Sequence, residues 1–338
     1  MMTKRIGTQT IKFQSPPSII SRASIVGPKE GQGPLKDYFD EILTDDYVGE
    51  KSWELAESKI FEKAVDLALK KVNLKPSDIN YLFGGDLLNQ IISSSFAARS
   101  MQIPFFGLYG ACSTMAEALS LAAMMIDGGF ADYTIAATSS HFSSAERQFR
   151  YPLELGNQRT PTSQWTVTGA GATILSKYGN GPYITYVTTG KVVDLGIKDA
   201  NNMGAAMAPA AADTIINHFR DTGFSPTDYD LVVTGDLGRV GSDLLYEILA
   251  RKGFDIKDIH MDCGLEIFDE SQDIQAGGSG CGCSAVVLNG YLLSEMSKGL
   301  FNRIFFMATG ALLSTTSTQQ GESIPCIAHG VVIERFLN

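Results

Sequence analysis

Apolar residues at Phe61, Ala64, Val65, Ala68, Leu69 and Val72 recur every three or four positions, which predicts a helix over 52–72 that the Pro76-Ser77-Asp78 turn ends. Short apolar runs at 81–83, closed by Gly84-Gly85, and at 103–109 predict strands, as does 133–138. The segment 113–127 is different. It is apolar on nearly every side, and since a surface helix keeps a polar face, this one must lie between two layers. Further along, 209–220, 241–252 and 284–298 read as helices, and 231–234 and 303–309 as strands. Residues 140–208 are rich in Gly, Thr and Ser; within them 172–177 and 183–193 alternate well enough to be strands. Segment 146–164, with Arg147, Arg150 and Arg159 just ahead of Trp165, reads as an elaborated loop of the kind that carries sites.

The chain also repeats itself. PSDINYLFGGDLL at 76–88 is echoed by PTDYDLVVTGDLG at 226–238, so Asp86 corresponds to Asp236 at an offset of 150. Gly110-Ala111-Cys112-Ser113, a helical stretch, Gly129 and a strand are matched by Gly280-Cys281-Gly282-Cys283, a helical stretch, Gly299 and a strand, at an offset of 170. Solenoid repeats run about 20–50 residues. This longer period marks a duplicated α/β half-domain. Apolar strands alternating with helices argue for mostly parallel sheets covered on both faces. With one buried helix per half, the expected layering is helix, sheet, helix pair, sheet, helix. The expected divisions are 1–50, an N-terminal extension with the first strands; 51–205, the first half with inserted loops; and 206–338, the second half.

Composition narrows the function. With 338 residues, 44% hydrophobic and 19% charged, the chain is a soluble globular protein. It has neither an apolar run of about 18 residues to span a bilayer nor a signal-peptide core behind Lys4-Arg5. A net charge of -10 without a basic tract makes nucleic acid an improbable partner. Acidic stretch 37–50 reads as a solvated face. Five cysteines without a CxxC pair, and four histidines, disfavour disulfides and structural zinc, so a reducing compartment, no metal and no cofactor are expected.

Cys112 is the sharpest chemical candidate, because it follows an apolar strand at the start of the sandwiched helix. Unpaired N–H groups and the helix dipole there lower a thiol pKa and can hold an anion. A buried cysteine that only packs is the competing reading. Gly277-Gly278-Ser279-Gly280 and Thr309-Gly310-Ala311 allow close backbone approach.

Gly110-Ala111-Cys112-Ser113-Thr114-Met115 resembles the nucleophile turn of the thiolase superfamily, which includes the ketoacyl-acyl carrier protein synthases and shares a duplicated αβαβα fold. More narrowly, TSSHFSSAERQFRYP at 138–152 and QRTPTSQWTVTGAG at 158–171 resemble the stage V sporulation protein AD family of spore-forming Firmicutes. Condensing enzymes of the superfamily need a His with an Asn or second His beside the thiol. By the repeat, those places fall on the strand end at Asp236 and on Gly278-Ser279-Gly280-Cys281, where neither residue type stands. An acid at Asp236 would raise the thiol pKa.

The expectation is therefore a non-catalytic binding protein, with a Cys112-dependent acyltransferase or condensing enzyme as the alternative. The family resemblance implies a ligand, dipicolinic acid (pyridine-2,6-dicarboxylic acid), free or as its calcium chelate, taken up by the developing spore. Cys112, Ser113, Thr114, His141, Asp236, Ser279 and Ser314 are the expected contacts, with Arg147, Arg150 and Arg159 as candidate carboxylate partners. It further implies a peripheral place on the forespore inner membrane through membrane-embedded subunits of the stage V sporulation A complex, a link to germination, and a homodimer through the sheet edge at 103–109.

Overall fold

The computed structural model describes residues 4–149 and 159–337. Its first half runs β1 (Thr10–Lys12), β2 (Ser18–Val26), β3 (Glu41–Ile42), α1 (Trp53–Lys71), β4 (Tyr81–Gly85), α2 (Ile92–Met101), β5 (Phe105–Gly107), α3 (Thr114–Asp127), β6 (Tyr133–Ser140), α4 (Phe142–Phe149), β7 (Trp165–Thr166) and β8 (Gly169–Ser176). The second runs β9 (Tyr183–Thr188), α5 (Met203–Thr222), β10 (Leu231–Thr234), α6 (Gly238–Ala250), β11 (His260–Asp262), α7 (Cys263–Glu266), β12 (Gly278–Ser279), α8 (Cys281–Val287), α9 (Leu293–Lys298), β13 (Arg303–Ala311), α10 (Thr315–Gln319) and β14 (Cys326–Glu334). A π-turn at Leu288–Leu292 joins α8 to α9.

The strands form two five-stranded arrays of the same order, β5-β4-β6-β8-β2 and β11-β10-β13-β14-β9. They meet where Ser18 pairs with Tyr183. In each array the first three strands are parallel and the fourth runs antiparallel to both of its neighbours. α3 lies between the arrays and touches both; α8 lies beside it and packs on β2, β6 and β8, while α1 with α2 and α5 with α6 cover the outer faces. This is the expected five-layer αβαβα arrangement. Small side chains make the central layer possible: Ala116, Ala118, Ala122 and Ala123 on α3 and Ala285 on α8 are fully buried. Leu119 and Met115 fill the gaps between them, each worth about 1.5–3 kcal/mol by burial.

Local chemistry explains the helix starts. Ser52 caps α1 by accepting from Leu55 N (3.3 Å), and Asn202 caps α5 by accepting from Ala205 N (3.4 Å). The Asn202 cap starts α5 six residues before Pro209, which sits inside the helix where periodicity had placed its beginning. β9 pairs with β14 and so belongs to the second array. The loop expected over 146–164 differs at its start, where residues 146–149 end helix α4; Arg150 lies outside the described residues. Among the described residues no helix is long and apolar enough to cross a membrane.

Candidate functional site

Cys112 lies in a 3-10 turn, Ala111–Ser113, between β5 and α3. Ala111 holds φ at 51°, the left-handed region, which turns Cys112 toward the interface of the two halves. Ser113 Oγ donates to Gly110 O (2.6 Å); Thr114 Oγ1 donates to Ala111 O (2.6 Å) and accepts from Gly110 N (3.1 Å). Both hydroxyls are thus spent on bracing the turn. β13 presses against it so closely that a Cβ at Gly310 would stand 2.1 Å from Gly110 O.

Opposite Cys112 stand the equivalents of the two vacated positions. Ser279 Oγ is 3.9 Å from Cys112 Sγ. Asp236, at the end of β10, accepts from Ser279 Oγ (2.9 Å) and Gly280 N (3.0 Å) on one oxygen and from Thr309 Oγ1 (2.8 Å) on the other. Burial pushes the Cys112 thiol well above its usual range, and the Asp236 charge beside it pushes the same way. Burial likewise raises the Asp236 carboxyl, while hydrogen bonds from Gly280, Cys112, Thr309 and Ser279 pull it back. Of the two opposing influences expected on Cys112, the raising one prevails over the helix start. Desolvation and a neighbouring acid outweigh what a few N–H dipoles supply.

A narrow cavity of about 50 Å³ opens from the sulfur. Leu87, Tyr109, Phe149, Met203 and Leu313 form its walls, with Cys112 and Ser279 at its polar end. Tyr109, Phe149 and Leu313 also border an outer groove of about 440 Å³. Among the described residues, neither lining contains a Lys, Arg or His. The candidate carboxylate partners are engaged elsewhere: Arg147 with Glu54, and Arg159 with Glu146 (3.2 Å) and Gln164 O (2.9 Å), its guanidinium 4.6 Å from the Trp165 ring.

Of the seven expected contacts, three converge: Cys112, Asp236 and Ser279. Ser113 and Thr114 support the turn from behind. His141 is fully buried but faces away: Nδ1 accepts from Ser143 N (3.2 Å), so Nε2 donates to Asp46 O (2.8 Å). It tethers the acidic 37–50 segment and does not line the cavity. Ser314 is exposed and caps α10, accepting from Ser317 N (3.1 Å). The remaining histidines are locked in the second half: His218 between Thr188 and Tyr229, His260 between Thr234 and Tyr246, and His329 accepting from Gly190 N. Burial depresses them to about 3, about 4 and about 4.

Thr309 was missed as an Asp236 partner, although the repeat carries its signal. Its counterpart at the offset of 170 is Ser139, whose Oγ donates to the buried Glu57 (3.1 Å). The same comparison explains Asp236. Its first-half counterpart, Asp86, is also buried but accepts from Leu88 N, Ser94 N and Ser94 Oγ and so ties down a loop. Only the second-half copy faces a thiol.

The fold has known relatives. It resembles 3-oxoacyl-[acyl-carrier-protein] synthase III from Aquifex aeolicus VF5, with TM-score 0.59 and 14% identity over 94% of this chain and 99% of that one. It also resembles Xanthomonas campestris OleA E117Q, with TM-score 0.60 and 16% identity over 95% of this chain and 99% of that one. At such identities the likeness establishes a thiolase-like fold. The sequence relationship is nearer. The chain is 49% identical over 332 residues to stage V sporulation protein AD of Bacillus subtilis (strain 168), covering 98% of each. The family model for stage V sporulation protein AD matches residues 7–334. By descent, then, this thiolase-like chain belongs to the stage V sporulation protein AD family.

Proposed function

We propose that the protein is a non-catalytic receptor for dipicolinic acid, bound in the Cys112 cavity during its uptake into the developing spore. One observation carries the reading: Cys112 faces a carboxylate and a hydroxyl, where an acyl-transferring enzyme would need a base and an amide. A thiol held protonated is a poor nucleophile. The narrow apolar walls suit the flat face of a pyridine ring, with Ser279 as a polar contact at the inner end. Since the described lining residues offer no cation to balance two carboxylates, the fitting form is the calcium chelate, in which one divalent ion cancels both charges. Room for a twelve-atom ligand comes from swinging Met203 and Phe149 outward toward the groove.

Membrane-embedded subunits of the stage V sporulation A complex are the proposed route to the forespore inner membrane. A homodimer through β5 is proposed beside it, because this edge strand exposes Phe106, stacked on Phe83 with ring centroids 5.0 Å apart. Calorimetric titration with calcium dipicolinate tests the ligand. Saturable heat in the wild type, abolished when Met203→Trp fills the cavity, supports the reading. An acyl adduct forming rapidly on Cys112 with a short acyl thioester would instead establish the condensing-enzyme alternative.

A further inference from the structure

The cavity pairs two properties that constrain its ligand: no cation among its described lining residues, and a buried acid directly behind Ser279 at its inner end. Every hydrogen bond to the Asp236 carboxylate comes from a neutral group, namely Ser279 Oγ, Gly280 N, Thr309 Oγ1 and the Cys112 thiol. The other titratable groups around it are also neutral or acidic: Cys112 from the turn before α3, Cys281 and Cys283 from α8, Cys263 from α7 and Asp262 from β11. No described element brings a positive charge to this end of the cavity. A second anion placed there meets an uncompensated carboxylate in a poorly hydrated space, where like charges repel strongly.

We propose that Asp236 is the specificity-determining residue of the site: it admits ligands whose charge is already cancelled, and admits a free carboxylate only with a proton on itself. The inference rests on the ligand reading above and adds the charge state of the complex. The proton comes from solvent and stays on the Asp236 carboxyl; no other bond changes. Ser279 and Thr309 are hydroxyls, able to reverse from donor to acceptor, so the pocket can hold the neutral carboxyl without losing its hydrogen bonds. Burial already raises the Asp236 carboxyl, the direction that favours taking up that proton. An anionic ligand raises it further, by an amount the pH dependence of affinity reads directly.

The experiment is a calorimetric titration of the full chain with sodium dipicolinate and, separately, with equimolar calcium dipicolinate, across about pH 5.5 to 9. Affinity for the free dianion falls with rising pH, about tenfold for each unit by which the ligand raises the Asp236 carboxyl. Affinity for the chelate stays flat. Asp236→Asn keeps the size of the side chain and places its amide NH2 against Thr309 Oγ1, which can accept; it flattens the free-ligand profile and brings the two ligands together at high pH. In the wild type, repeating the titration in buffers of different ionisation enthalpy counts the proton taken up, a readout that needs no variant. Equal affinity for both ligands at every pH, with no proton exchanged, overturns the inference and leaves the receptor reading standing. So does a pH slope that survives in Asp236→Asn, since it would place the proton on another group. Absence of binding by either ligand overturns the receptor reading itself, and this inference with it.

Discussion

The contact between β13 and the Cys112 turn can be tested with one methyl group. Gly310→Ala places a Cβ 2.1 Å from Gly110 O and 3.0 Å from Ser113 N, and both are backbone atoms without rotamer freedom to yield. Restoring an ordinary carbon–oxygen contact needs a displacement of about 1 Å. Gly110 O is held by Ser113 Oγ (2.6 Å) and Ser113 N (3.0 Å), so the shift strains two hydrogen bonds as well as the packing. Overpacking of this kind costs about 1–3 kcal/mol, and the weakened bonds add to it, for a total of about 3 kcal/mol. For 338 residues the unfolding entropy is about 0.7 kcal/mol/K, so Tm falls by about 4 °C. Gly33→Ala is the matched control: its Cβ meets the backbone Ile267 O at 2.0 Å, remote from the cavity. Thermal melts should show similar losses for both variants, while calcium dipicolinate titration below the melting range should show weakened binding only in Gly310→Ala. If Gly310→Ala binds as tightly as Gly33→Ala, the turn does not shape the ligand site.

Other expectations follow from the same contacts. Alkylation of native Cys112 by iodoacetamide, followed by peptide mass mapping, should be far slower than in the urea-unfolded chain. Its rate should keep climbing above about pH 8.5, where a free thiol levels off, and a plateau below that value would contradict the raised thiol. Leu119→Ala in the central helix removes a fully buried side chain and should cost about 3 kcal/mol, read as a similar drop in Tm without loss of ligand affinity. Glu30 is buried with its carboxyl pushed up from 4.5 to about 8, one oxygen accepting from Thr168 N and the other unpartnered. Its folded value lies above the unfolded one, so its contribution to stability is full below about pH 4.5 and lost as pH rises toward 8. Glu30→Gln should therefore gain on the wild type by about 5 kcal/mol across that window in denaturant titrations; a constant difference would refute it.

Much of the architecture was legible because duplication writes itself twice. β10 was expected at its observed bounds, α3 was expected as a buried helix because apolar residues ring it, and the segment α8–α9 as its counterpart through the duplication. Other features depended on long-range partners. β9 precedes its neighbour β14 by more than a hundred residues, so local pattern could not show which array it joins. α4 carries Ser143, Ser144, Glu146, Arg147 and Gln148, a polar surface without an apolar stripe long enough to register as a helix. At the site, Cys112, Asp236 and Ser279 were readable from the repeat, because both copies keep a strand-end acid and a glycine-flanked helix start. Position alone misled for His141: the strand end nearest the cavity directs that ring outward to Asp46 O. The apolar walls, Leu87, Phe149 and Met203, carry no sequence signal beyond ordinary core composition.

The account turns on whether the Cys112 cavity receives a ligand without reacting with it. A crystal structure of the protein with saturating calcium dipicolinate addresses this directly. The expected electron density is a planar ring among Leu87, Tyr109 and Met203, its metal-bound edge toward Ser279 and the Cys112 sulfur unmodified. Density continuous with the sulfur, or an empty cavity with the chelate ordered elsewhere on the molecule, would contradict it.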